Sequence, residues 1–286
     1  MEGFDSLSRL AYDEAGLVLS EQKAPLIVSR LRHRMKALSL SSLSEYCTFV
    51  QSDSSGVEHS HMISALTTNV SGFFREPHHF DKLRNEILPD LMERLLAGNR
   101  ARIWSAGCSN GQEPYSIAME CLRFDSNISN LDFKILATDI DVEVLKYASE
   151  GTYDASQLNG LDQVKYGRYF KKVSSNAGVA AKQVTTDVRS LVSFKRLNLI
   201  DKWPMNGFFD VIFCRNVVIY FDADTQKILW KKFEKLLHPN GTLFVGHSER
   251  VDSACFTIEG ATSYKLTSQK DACGQHTYEK DNEIGA

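Results

Sequence analysis

The stretch Arg102-Ile-Trp-Ser-Ala-Gly107-Cys-Ser-Asn-Gly111-Gln-Glu113-Pro-Tyr-Ser decides the fold: an apolar strand runs into a glycine-rich turn and then into a helix that carries an acid. Glycines let a backbone turn sharply and approach a ligand closely, and the strand-turn-helix context marks a nucleotide-cofactor loop. The spacing narrows the ligand. Gly107 and Gly111 are separated by three residues, so Ser109 stands where a dinucleotide fingerprint needs its second glycine, and the chain contains no GxxxxGK[ST] phosphate loop. A pyrophosphate is therefore not the expected ligand. S-adenosylmethionine (SAM) has no phosphate and suits a looser turn followed by two acids, one for the ribose hydroxyls and one facing a cationic group; Glu113 and Asp139 are placed for these roles.

Asp139 closes the next strand, Phe133-Lys-Ile-Leu-Ala-Thr-Asp139, and Asp141-Val-Glu-Val-Leu reads as a capped helix start. Ligands of open parallel sheets lie at the carboxyl ends of strands, which brings Gly107, Glu113 and Asp139 to one crevice. Capping alone explains Asp141; the glycine loop one unit upstream favours a ligand role for Asp139. Further strands are expected at Ile103 to Ala106, Ser193 to Leu197, Phe209 to Cys214 and Thr242 to Gly246, with helices between most of them: a parallel α/β sheet. Phe256 to Leu266 reads as two short antiparallel strands added at the sheet edge. Residues 1–70 have helical periodicity and few glycines, and form a separate helical unit ahead of a catalytic domain over 71–268. The interval 151–193 is too long for a connection and reads as an insertion with a small strand element, including a Val-Thr-Thr-Asp-Val alternation at 184–188 and anchored by Tyr166, Tyr169 and Phe170. The tail 269–286 is polar and expected to be disordered.

The 286 residues suffice for one large domain or a large and a small one, and 43% hydrophobic with 24% charged residues is ordinary for a soluble protein. There is no bilayer-length apolar run and no signal peptide, so a cytoplasmic protein without membrane insertion is expected. Six scattered cysteines without a CxxC pair argue for free thiols, and His78 and His79, about 100° apart on a helix, argue against a shared metal. On a helical wheel Ile27, Val28, Leu31, Met35 and Leu38 share one arc, leaving Arg30, Arg32, His33, Arg34 and Lys36 on the other face. Such a face is often merely solvated. With a net charge of −3 for the whole chain, however, this concentration of positive charge fits an acidic protein helix better than a nucleic acid. The strand ending in Cys214 runs into Arg215-Asn216-Val-Val-Ile-Tyr220-Phe, making Asn216 and Tyr220 candidate site residues. Val217 and Val218 stand where amino-methylating nucleic-acid enzymes carry two prolines.

Five blocks carry a family resemblance: Ala65-Leu-Thr-Thr-Asn69-Val-Ser71-Gly-Phe-Phe-Arg75-Glu, Ser105 to Ser116, Thr138-Asp139-Ile-Asp, Phe213-Cys-Arg-Asn216-Val-Val-Ile-Tyr220-Phe and Gly246-His-Ser-Glu. In this order, over nearly the whole chain, they resemble the CheR chemotaxis receptor methyltransferases. The resemblance implies an α/β, Rossmann-like SAM-dependent methyltransferase domain with an N-terminal all-helical domain and an inserted small β-subdomain. It also implies methylation of glutamate side chains on methyl-accepting chemotaxis receptors, with S-adenosylhomocysteine as product, by an enzyme recruited to membrane-bound receptor arrays. Carried over by position, the cofactor contacts fall on Asn69, Ser71, Arg75, Glu113, Asp139, Asn198, Leu199, Asn216 and Val217, to which the loop reading adds Gly107. Asn110 and Gln112 depart from the family's Thr and Glu but leave Glu113 in place. The face bearing Arg30, Arg32, Arg34 and Lys36 matches the family's receptor-recognition surface, and the insertion matches a subdomain that in some members grips a receptor C-terminal peptide.

A free glutamate, with a pKa near 4.3, is more than about 99% ionised at neutral pH, so the nucleophile needs no general base. The enzyme must supply alignment, worth on the order of 7–11 kcal/mol. Arg75 and Tyr220 are the candidates, Arg75 either for the substrate carboxylate or for that of the cofactor. The alternative is a SAM-dependent methyltransferase of another signalling protein, a nucleic acid or a small molecule, which would not need the basic helix.

Overall fold

The computed structural model describes residues 3–67, 69, 71–174 and 180–267. Four helices come first: α1 (Phe4–Ala15), α2 (Ala24–Ala37), α3 (Leu43–Ser52) and α4 (Val57–Leu66). Their apolar stripes, Leu7 and Ala11, Ile27 and Leu31, Tyr46 and Val50, Met62 and Leu66, close on one another in a core separate from that of the sheet. Pro77 opens α5 (Pro77–Lys82), which continues through a π-helical turn over Leu83–Ile87 into α6 (Leu88–Leu96).

The second part alternates as expected: β1 (Ala101–Ala106), α7 (Gln112–Phe124), β2 (Phe133–Asp139), α8 (Val142–Glu150), an insertion, β6 (Val192–Arg196), β7 (Phe209–Cys214), α11 (Ala223–Leu236) and β8 (Leu237–Val245). β9 (Phe256–Gly260) and β10 (Ser263–Leu266) complete a seven-stranded sheet of order β6-β2-β1-β7-β8-β10-β9, in which β10 runs antiparallel to both of its neighbours. All six residues of β7 are buried, because helices cover both faces of its parallel neighbourhood; its apolar run, broken only at Asp210, has this cause. The one acid in that run, Asp210, accepts the Arg102 N–H at 2.8 Å and pairs with Arg94 at 2.6 Å. Some boundaries move: β1 starts at Ala101, ahead of Ile103, β6 starts and ends one residue earlier than expected, and β8 runs from Leu237 to Val245, beginning well ahead of Thr242.

The insertion holds β3 (Thr152–Asp154), α9 (Gln163–Tyr166), β4 (Phe170–Ser174), β5 (Ala180–Val184) and α10 (Thr186–Ser190), with the strands in an antiparallel sheet of order β3-β5-β4. Tyr166, Tyr169 and Phe170 are buried, and Tyr166 stacks on Phe74 at 3.9 Å, so the subdomain rests on the segment that joins the two domains. The alternation at 184–188 does not make one strand. Val184 and Val188 are four residues apart, a spacing that a helix also places on one face, and both are buried, Val184 at the end of β5 and Val188 in α10. The expectation of a disordered tail over 269–286 lies outside the described residues.

Candidate active site

Strand order reverses around β1, which has β2 on one side and β7 on the other, and the loops leaving the carboxyl ends of β1, β2, β6 and β7 meet there. Gly107 has φ +85°, and a Cβ on it would run into the Val217 side chain, so the loops after β1 and β7 touch only because this residue is glycine. Gly111, at φ +89°, likewise packs where a Cβ would lie 2.9 Å from that of Ala148. Between them Ser109 adopts φ +47° and donates its N–H to Asp139 Oδ2 at 2.8 Å. Asp139 Oδ1 accepts the Asp141 N–H at 3.1 Å. Burial pushes the Asp139 carboxyl up to about 6, against the pull of these N–H groups. Asp141 is the N-cap of α8, accepting from Glu143 N at 2.9 Å, and its second oxygen accepts from Asn69 Nδ2 at 3.0 Å. The cap thus also anchors the segment between the domains.

Arg215 follows β7 directly and is almost fully buried. Its Nη1 lies 3.0 Å from Glu113 Oε2, its Nη2 lies 3.2 Å from Glu76 Oε2, and Nη2 also donates to the Arg75 carbonyl. Ser105 donates to the other Glu113 oxygen at 2.7 Å. Burial raises the Glu113 pKa while Arg215 and Ser105 hold it down; the net shift is upward. Glu113 therefore lines the pocket already paired to an arginine, a partner that sequence spacing does not reveal. Glu76 is held at about 2: burial opposes ionisation, but Arg215 and His247 outweigh it.

Asn216 takes φ +61°, and the turn it begins is caged by Glu249, whose carboxylate accepts N–H groups of Asn216 at 2.8 Å, Val218 at 2.9 Å and Gly246 at 2.5 Å. That turn delivers Val217 and Tyr220 to the pocket. The helical domain closes the opposite wall. Val18 N–H donates to the Tyr220 carbonyl at 2.9 Å, Tyr12 donates to Asp222 at 2.7 Å, and the Asn198 amide donates to the Glu14 carbonyl at 2.8 Å. Lys232 Nζ reaches the carbonyls of Leu199, Ile200 and Asp201, at 3.0, 3.0 and 2.6 Å, fixing the loop after β6.

One pocket is lined by Asn69, Ser71 and Arg75 from the joining segment, Gly107 and Glu113 after β1, and Asp139 after β2. Asn198 and Leu199 after β6, and Arg215, Asn216, Val217 and Tyr220 after β7, line it as well. Every residue expected to hold cofactor or orient substrate is among them, with Ala15 and Leu17 of the helical domain added. The loops form a cradle too crowded for a side chain at Gly107 and present a half-buried carboxylate at Asp139. This fits a nucleoside without a pyrophosphate.

The basic helix needs correction. Arg34 pairs through Nε and Nη2, at 3.1 and 2.5 Å, with Glu58, a buried acid also bound by Tyr46 at 2.9 Å, and Arg30 donates to the Leu66 carbonyl at 3.2 Å. Both are half-buried parts of the helical core's rim; Arg32, His33 and Lys36 remain exposed. The two histidines lie closer together than their helical spacing suggested. Glu76, His78 and His79 each bring one donor atom within 4.8 Å of the others, although neighbours on a helix point apart. Arg215 already pairs with that carboxylate, and its positive charge opposes a cation there. The five described cysteines are free.

Arg215 and Glu249 were not singled out from sequence. The available signal was charge in an unlikely place: an arginine ending a buried strand, and an acid three residues beyond the Gly246 that follows β8.

A reversed parallel sheet of this order, with a glycine loop, an acid closing β2 and no phosphate site, defines the nucleoside-binding half of a methyltransferase. A family model described as CheR methyltransferase, SAM binding domain, matches residues 69–264, and one described as CheR methyltransferase, all-alpha domain, matches residues 2–67. The chain is 45% identical over 263 residues to a probable chemotaxis protein methyltransferase of Rhizobium etli, covering 91% of this chain and 98% of that one. It is 41% identical to the chemotaxis protein methyltransferase of Borreliella burgdorferi (86% and 88% covered) and 37% identical to that of Salmonella typhimurium (93% and 91% covered). The chain belongs to the CheR methyltransferase family. It is a SAM-dependent methyltransferase of chemotaxis.

Proposed function

We propose that this enzyme esterifies glutamate side chains on the cytoplasmic helical region of methyl-accepting chemotaxis receptors. The observation that carries the reading is that Arg75 and Tyr220 open on the same pocket as Asp139 and Glu113, with no histidine among the described residues that line it. A carboxylate needs no base, whereas an amine or hydroxyl substrate does. Asp139 would receive the ribose hydroxyls, and the loop of Asn198 and Leu199 would lie along the nucleoside. When bound, SAM supplies a methyl group already activated by its sulfonium. Arg75, exposed at the pocket mouth, draws the glutamate carboxylate in and orients it, and the Tyr220 hydroxyl fixes its angle.

Arg32 and Lys36 on α2 supply charge for an acidic receptor helix. β4 is an edge strand of the inserted sheet, so its backbone is available for strand addition by an extended receptor C-terminal peptide. Among the described residues no helix is long and apolar enough to cross a membrane. The contacts of α2 and β4 would recruit the enzyme to receptor arrays. Incubation with SAM and chemoreceptor-containing membranes, followed by peptide mapping by mass spectrometry, should place the added methyl groups on glutamates of the receptor's helical region. Methylation confined to lysines, or to a protein other than the receptor, would overturn the reading.

A further inference from the structure

We propose that Arg215 is a positioning residue that sets Arg75 against the floor of the cofactor pocket. The proposal rests on the reading of Arg75 given above. The side chain of Arg215 is 2% exposed, and its fork is divided between two elements: Nη1 holds Glu113 at the start of α7, and Nη2 holds both the Glu76 carboxylate and the Arg75 carbonyl.

The segment it grips is not self-supporting. Phe74 and Glu76, on either side of Arg75, have φ of +53° and +58°, a left-handed conformation that ordinary side chains adopt only under external constraint. Phe74 is constrained by its N–H bond to Ser116 Oγ at 3.0 Å and by its stack on Tyr166. Glu76 is constrained by Arg215 and by the His247 N–H and ring at 3.2 and 3.0 Å. Arg215 joins this turn to Glu113, which lines the pocket from α7. Its Cζ also lies 5.7 Å from the centre of the Phe80 ring, within reach of a cation–π contact. A planar fork with parallel donors can serve two carboxylates and a carbonyl at once. A lysine ammonium in its place keeps the charge but not this division of donors.

The test uses the full-length enzyme, methyl-labelled SAM and chemoreceptor-containing membranes, with thermal melting and calorimetric SAM binding on each variant. Arg215→Lys should lower kcat by roughly tenfold or more with a smaller loss of SAM affinity, because lysine frees the Arg75 turn while keeping a cation beside Glu113. In an Arg75→Ala background, Arg215→Lys should cost less than about a further twofold in kcat, since it acts through Arg75. Glu76→Gln, which removes the same link from the other side, should lower kcat in the same sense, and serves as the test if Arg215→Lys does not fold. Unchanged kcat in Arg215→Lys or in a folded Glu76→Gln, with Arg75→Ala impaired but still measurable, overturns the proposal alone. A full further loss in the Arg75→Ala background also overturns it. Wild-type kcat in Arg75→Ala overturns the reading of Arg75, and the proposal with it.

Discussion

Asp139 holds the glycine loop through the Ser109 N–H, and in the proposed function its remaining lone pairs receive the ribose hydroxyls. Removing the charge in Asp139→Asn should cost SAM binding roughly 1.5–3 kcal/mol, the range for hydrogen bonds to a charged group. Burial places this carboxyl at about 6, and a proton competes with the ribose hydroxyls for the same oxygens. SAM affinity should therefore be level above about pH 7 and fall as pH drops through 6, by at most about tenfold per unit. Calorimetry giving one affinity at about pH 5 and pH 8 would remove Asp139 from the ribose. At Tyr220 the expectation is different. Tyr220→Phe deletes only the hydroxyl, so a positioning role appears as a lower kcat with SAM affinity nearly kept, and at saturating SAM the rate stays flat from about pH 6 to 9. A bell-shaped profile that vanishes in Tyr220→Phe would make it a proton-transfer residue.

Among the elements, the glycine loop, β2 with its closing acid and the β7 turn were legible because each is a local pattern: a spacing, a cap, a buried run. The network around Arg215 was not legible, since its partners Glu113 and the Arg75 carbonyl are 102 and 140 residues away in sequence. Helix α2 illustrates the same limit. A wheel separates apolar from charged residues but does not reveal that Glu58 of α4, buried among the helices, takes Arg34 from the surface. Arg34→Ala should therefore destabilise the fold, by roughly 1–3 kcal/mol for an unpaired buried acid, and lower the melting temperature. Arg32→Glu with Lys36→Glu should leave the melting temperature unchanged and raise the KM for receptor. That defect should shrink with salt, because screening acts over about 8 Å at physiological ionic strength. An unaltered receptor KM at low salt would make the exposed part of this face merely solvated.

Across the whole molecule, the two domains meet at the pocket, and the segment between them carries a buried neutral histidine. Burial first, then Arg215 and His78, hold His79 down at about 3 against the pull of Glu76. Below the usual histidine pKa near 6.5 the unfolded chain takes a proton that the folded chain refuses. This group's contribution is complete above 6.5 and is lost as pH falls toward 3, by at most about 1.4 kcal/mol per unit. Denaturant titrations at about pH 7 and pH 5 should show the wild type losing up to roughly 2 kcal/mol more than His79→Gln; parallel losses would contradict the assignment.

The central claim concerns the bond that the assembled pocket makes. Receptor membranes labelled by the enzyme from methyl-labelled SAM, then exposed to alkali, test it most directly, because carboxyl methyl esters hydrolyse readily and N-methyl groups do not. The account predicts that the label leaves the receptor as volatile methanol. Label that stays on the protein through alkali would contradict it.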